Sequence, residues 1–138
     1  MALSANAPRT YEAQEEPSFN DLQQKGSTTI YEGAAVGDSS RYDRGLVAGD
    51  QFQGFADRQS VNSGADGTVN VRVRQRGVIQ LAVTGVTAVT DEGSSVYASA
   101  DGTFTLTASG NSAVGKIKRW VTSTTCLVYF EAASVRSI

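Results

Sequence analysis

The sequence contains no histidine and a single cysteine, Cys126. Without histidine there is no Ser-His or Cys-His nucleophilic pair and no imidazole-bound metal. With one cysteine, no disulfide closes within the chain and no thiolate cluster assembles. Proline is nearly as scarce, and both residues, Pro8 and Pro17, fall in the first 26 positions. Charge of either sign is modest: the net value is −2 and the sequence pI is about 5.0, so bulk electrostatics give no reason to expect nucleic-acid binding. No apolar run approaches the roughly 20 residues of a membrane-spanning helix, and no membrane partner is expected. The opening MALSANAPRTYEAQEEP lacks both the basic start and the apolar core of a secretory signal. The expectation is a soluble chain made and kept without export.

What is present is β-structure. The 138 residues are enough for one modest domain with a real core. The organising stretch is Thr68 to Val83, TVNVRVRQRGVIQLAV. Val69, Val71, Val73, Ile79, Leu81 and Val83 occupy odd positions, while Asn70, Arg72, Arg74, Arg76 and Gln80 occupy even ones. Successive side chains leave opposite faces of a pleated strand, so this alternation predicts a half-buried strand. Gly77 interrupts the apolar face without shifting its parity, which predicts one long strand bent there or two meeting at a corner.

Around it, short apolar pieces are separated by turn signals at Asp66-Gly67, Asp91–Gly93 and Asp101-Gly102. Along the chain, several short strands with turn signals at intervals of roughly ten residues predict an all-β barrel or sandwich. DSSRYDRG reads as a polar loop. In TTCLVYFEA, Cys126, Val128 and Phe130 share one face of a strand, making Cys126 a small buried apolar residue rather than a reactive thiol. Residues 1–26 differ from the rest and read as an extended N-terminal arm ahead of a single β-domain over 27–138. Ser18 followed by Asp21 predicts a helical turn there, with Phe19 and Leu22 on one side and Gly26 as its stop.

Chemistry is sparse. Asp38, Asp43, Asp50, Asp66, Asp91, Glu92 and Asp101 sit in or beside turns, and turn formation accounts for them without catalysis. Asp-x-Asp-x-Asp spacing is absent, and Gly45, Gly49 and Gly54 lack the Lys-Ser/Thr ending of a phosphate loop. No catalytic residue, metal or cofactor is expected. The charged feature with geometry is Arg72, Arg74 and Arg76, which leave one face of a strand and span about 13 Å. That face is a solvated surface, a protein interface or, less in keeping with the missing aromatic platform, a nucleic-acid contact. Lys116, Lys118 and Arg119 form a second basic group. Trp120 reads as packing.

Four segments, taken in order, carry a resemblance: STTIYEGAAVG, GFADRQSVNSGADGTVNVRVRQRGVIQL, GSSVYASADGTFTLTASGNSAVGKIKRWV and LVYFEA. Together, over about Thr28 to Ala132, they resemble a family of small tailed-phage proteins that decorate or cement capsids. The resemblance implies a β-barrel-like domain made in the host bacterial cytoplasm. It implies trimers on the outside of an icosahedral head, where neighbouring capsomers of the major capsid protein meet. It brings no catalytic residues. The arm has no residue-by-residue counterpart, so its role is a physical inference: Arg9, Tyr11, Phe19 and Leu22 contact the shell or a neighbouring protomer, and removing residues 1–24 leaves the domain folded. The alternative is a glycan- or receptor-binding module on a virion surface or fibre, with Tyr42, Phe52 or Tyr97 stacking on sugars.

Overall fold

The computed structural model describes residues 2–11, 18–122 and 125–133. Pro17, Glu12, Glu15, Glu16 and the SVRSI tail lie outside the described residues. The fold is all-β, as the alternating patterns predict. β1 (Ser18–Gln23), β2 (Thr28–Ile30), β3 (Ala35–Ser39) and β4 (Tyr42–Gly45) are followed by β5 (Gln51–Ala56) and β6 (Ser60–Asn62). Then come β7 (Asn70–Leu81), β8 (Val83–Thr84), β9 (Ser95–Ala100), β10 (Thr103–Thr105), β11 (Ser112–Thr122) and β12 (Thr125–Glu131). The turn at Val89–Asp91 is a single 3-10 turn.

Ten strands form one mixed sheet in the order β4-β3-β5-β7-β12-β11-β9-β10-β8, with β1 paired to β7 beside that path. β2 and β6 make a separate two-stranded sheet. The large sheet curls back on itself: Val47, just after β4, bridges Ala100 at the end of β9, and the Ala35 N–H of β3 donates to the Asp101 carbonyl at 2.9 Å.

β7 is the spine. Val71, Val73, Gln75, Gly77, Ile79 and Leu81 are buried, Arg72, Arg76 and Gln80 are exposed, and Arg74 is half-buried. The predicted parity is therefore the real one, with Val78 as an added buried residue. The bend at Gly77 (φ 151°) marks a change of partner within a single strand. Up to Arg76, β7 pairs with β1 and β5; from Arg76 onward it pairs with β12.

The core has two parts. The larger gathers Phe52, Phe55, Phe104 and Phe130 with Ile79, Leu81, Val114 and Cys126. Phe55 and Phe130 meet edge-to-face at 4.9 Å, a favoured aromatic geometry. The smaller holds Ile30, Ala34, Val36, Ala56, Val71 and Val73, with Leu3 and Leu22 packed against it.

Two local expectations are corrected. The helical turn from Ser18 is absent, and the segment is β1, antiparallel to β7 from Ser18↔Arg76 to Gln23↔Asn70. Pairing with a long strand supplies what an isolated helix of one turn lacks, so tertiary contacts override the capping pattern. DSSRYDRG is likewise not a loop but the β3–β4 hairpin, with Ser39 opposite Tyr42. Its two-residue turn, Ser40 (φ 55°) and Arg41 (φ 79°), is left-handed at both positions without glycine or asparagine. The usual sequence signal is missing, so the hairpin was hidden.

Candidate functional site

The arm and the arginine face, read separately from sequence, meet in space. Residues 2–11 lie along the Tyr31–Gly33 turn and the far half of β7. The Ala7 N–H donates to the Glu32 carbonyl (2.7 Å), the Glu32 N–H to Asn6 Oδ1 (3.0 Å) and the Gln80 N–H to the Thr10 carbonyl (2.9 Å). Leu3 N–H donates to Asp101 Oδ1 at 2.7 Å. Gly33 (φ 83°) permits this approach, because a Cβ there would run into the Ala7 carbonyl.

Each arm residue singled out from sequence has an intrachain partner. Arg9 donates through Nε to the Gly33 carbonyl (2.8 Å) and lies 5.7 Å from the Phe104 ring centroid. Burial pulls its guanidinium below its ordinary value, against the opposing influence of Tyr11 and Asp101. Tyr11 bridges Ile79 and packs on Phe130 at 6.2 Å. Burial pushes its hydroxyl up to about 12. Phe19 lies beneath two guanidinium groups, 4.5 Å from Arg72 and 4.7 Å from Arg74. Leu22 covers the smaller core. Arg76 stands apart from this stack, exposed at the other end of the arginine row, opposite Glu131 on β12. The aromatic platform missing from the local sequence is thus supplied by the arm.

The turn acids serve local structure. Asp66 accepts the Gly26 N–H (2.8 Å), Glu92 accepts the Trp120 N–H (2.9 Å) and Asp50 pairs with Arg44 (3.0 Å). Asp91 accepts the Thr87 N–H (2.8 Å) and the Ala88 N–H (3.1 Å), which hold its carboxyl below its usual value. Asp43 is different. It is 3% exposed, sits directly across the hairpin from Asp38, and its Oδ2 has no hydrogen-bond partner among the described residues. Burial, then Asp38 and Asp50, push its carboxyl up to about 7. No group of three or more carboxylate or thiol side chains suited to a metal ion is found among the described residues.

Sequence reading missed two features. One is a buried polar hub at Gln24, which is fully buried. Its amide donates to the Thr28 carbonyl (3.0 Å) and the Ser60 carbonyl (3.1 Å), and Asn62 donates to the Gln24 carbonyl at 3.0 Å. The Ser60 hydroxyl donates back to Gln24 Oε1. The other is a groove of about 690 Å³ across the outer face of β7, β12, β11 and β9, rimmed by Arg76, Tyr97, Lys116, Tyr129 and Glu131. Its floor is small: Gly77, Ala113 and Gly115. Gly115 lies so close to β12 that a Cβ would collide with the Tyr129 carbonyl. Neither feature has a sequence signature, since both join residues distant along the chain. Of the residues suggested for sugar stacking, Tyr97 lines this groove, Tyr42 lies elsewhere on β4, and Phe52 is 1% exposed and belongs to the core.

These elements define a small curled β-domain whose outer surface carries an arginine row with exposed ends and a groove rimmed by tyrosines and charged side chains. Its fold is similar to that of a chain in a solved structure entitled "The capsid of Myoviridae Phage XM1". The two share 18% sequence identity and a TM-score of 0.56, covering 95% of this chain and 94% of that one. By sequence, the chain matches no family model and no curated protein.

Proposed function

We propose that this chain is a structural protein of a tailed-phage virion, one that binds the outside of the head as a homotrimer and reinforces contacts between capsomers of the major capsid protein. The observation that carries the reading is the end-to-end fold match to a chain of a phage capsid, over 95% of the sequence. The ordered motif resemblance over Thr28–Ala132 points the same way. A single small footprint binds weakly, because association costs several kcal/mol of rigid-body freedom. A trimer presents three footprints and makes the later contacts effectively intramolecular.

The contact surface in this reading is formed by the two exposed ends of the arginine row, Arg72 and Arg76, with the edge of Phe19 on β1 beside Arg72. Arginine suits it, since its planar donors pair with carboxylates of a partner chain. Arg9, Tyr11 and Leu22 act by fixing the arm that carries Phe19. The test is molar mass by light scattering, followed by sedimentation with expanded heads that lack the protein. A trimer that cosediments with heads, and loses that binding in the Arg72→Glu/Arg76→Glu double variant, is the expected result. A monomer that stays in the supernatant sinks the proposal.

A further inference from the structure

We propose that the groove across β7, β12, β11 and β9 is a binding site for a short acidic oligosaccharide. The argument starts from the floor. All four strands are interior to the sheet, each hydrogen-bonded on both sides, so no free backbone row lies in the groove. An extended peptide recognised by strand addition needs an open edge, and none is offered here. Recognition therefore falls to side chains.

Those side chains form a coherent set. Lys116 stands opposite both Tyr129 on β12 and Ser95 on β9, and Arg76 stands opposite Glu131. Tyr129 is 56% exposed, so its ring is available above the floor. Tyr97 lies two strands away on β9, opposite Ala113 and further along the strand than Ser95, which is level with Lys116 and Tyr129, so the two rings sit diagonally across the floor. Between the rings, Ala113 and Gly115 leave room for a flat ligand. The volume, about 690 Å³, lies in the range of small-molecule sites.

Each class of ligand makes different demands on this set. A free inorganic anion has no use for two aromatic rings. A nucleic-acid strand brings closely spaced phosphates, and Glu131 at the rim repels them. A sugar presents apolar C–H faces to tyrosine rings and hydroxyl donors to the Glu131 carboxylate. Two cations, Arg76 and Lys116, against one carboxylate favour a sugar that carries its own carboxylate, which arginine binds through paired hydrogen bonds. Arg76 borders both this groove and the head contact proposed above, so the two readings are separated by Tyr129→Ala, which lies outside that contact and should leave head binding unchanged.

The test is an amide-resolved NMR titration of the full chain with an oligogalacturonate, a neutral malto-oligosaccharide, an oligoglutamate and an oligothymidylate, each up to about 10 mM. The expected result is saturable shifts at residues 113–116 and 129–131 with the oligogalacturonate and weaker ones with the neutral sugar. Tyr129→Ala, at an exposed position, should lower that affinity about tenfold, and Arg76→Gln should abolish the preference for the acidic sugar over the neutral one. Ala113→Phe, which fills the floor from an exposed position, should remove binding of both sugars. Absence of shifts with the oligogalacturonate overturns the proposal. So does stronger binding of the oligoglutamate or the oligothymidylate at the same amides, which would assign the groove to an acidic protein segment or to nucleic acid.

Discussion

The guanidinium of Arg74 lies 4.3 Å from the centroid of the Tyr11 ring, and the same guanidinium also covers Phe19. Tyr11 and Arg74 are 63 positions apart in the sequence, yet this contact, with the Tyr11–Phe130 contact beneath it, fastens the N-terminal segment to the spine of the sheet. A ring between a cation and an apolar core gains from both sides: the quadrupole attracts the guanidinium, and the body of the ring leaves water.

Tyr11→Ala should therefore lower unfolding stability by about 2–3 kcal/mol, below the full penalty for a core aromatic because Tyr11 is only half-buried. Phe19→Ala, which removes cation–π contacts near the surface, should cost about 1 kcal/mol. Urea unfolding monitored by tryptophan fluorescence measures both. Equal losses would mean that the two rings share one environment, contrary to the packing described.

Gln24→Leu should destabilise by about 2–4 kcal/mol, since it removes the fully buried Gln24 amide that bonds the Thr28 and Ser60 carbonyls and the Ser60 hydroxyl. The same reasoning revises the truncation expectation. Removing residues 1–24 deletes β1 and the hub together, so the shortened chain should show a lower melting temperature and an exposed edge on β7. A truncated chain as stable as the full one would show that neither contributes.

Stability should fall as pH rises from about 4 to about 7, and Asp43 is the cause. Its folded-state value is raised to about 7 from an ordinary 3.8, so the folded chain holds that proton more tightly than the unfolded chain does. The resulting stabilisation is fully present below about pH 4 and lost as pH climbs through about 7. At roughly 1.4 kcal/mol per unit, the swing is of order 4 kcal/mol. Asp43→Asn keeps the shape without the charge. It should raise stability at pH 8 and flatten the profile between pH 4 and 7, as read by unfolding midpoints across that range.

Arg41→Gly should stabilise the β3–β4 hairpin by about 1 kcal/mol, because glycine takes a φ of 79° without the steric penalty an L side chain incurs there. Thermal unfolding tests it. A loss would mean that the Arg41 side chain contributes more than its backbone conformation costs.

Much of the fold was legible along the chain. The parity of Val71, Val73, Ile79 and Leu81 and the buried face of Cys126, Val128 and Phe130 follow from a two-residue period, and the bend follows from glycine at position 77; neither depends on anything outside the strand. The turns at Asp66-Gly67 and Asp101-Gly102 follow from local backbone preference. β4 was not legible, because Ser40 and Arg41 adopt a conformation their side chains disfavour and the rest of the sheet imposes. The Phe19 segment was misread because a weak helix signal of a few residues yields to pairing along a full strand.

What the sequence determined by itself was thus whatever local geometry enforces: an all-β chain, its principal strand, the face each residue presents, and the absence of histidine and disulfide chemistry. What only the tertiary structure decided was which faces meet. The Tyr11–Arg74–Phe19 stack, the Gln24 hub, the opposed pair Asp38 and Asp43, and the groove between Tyr97 and Tyr129 each join residues from separate strands. Strand order is chosen by how the apolar faces of the whole sheet close around one core, a global energy that no single stretch of the chain contains.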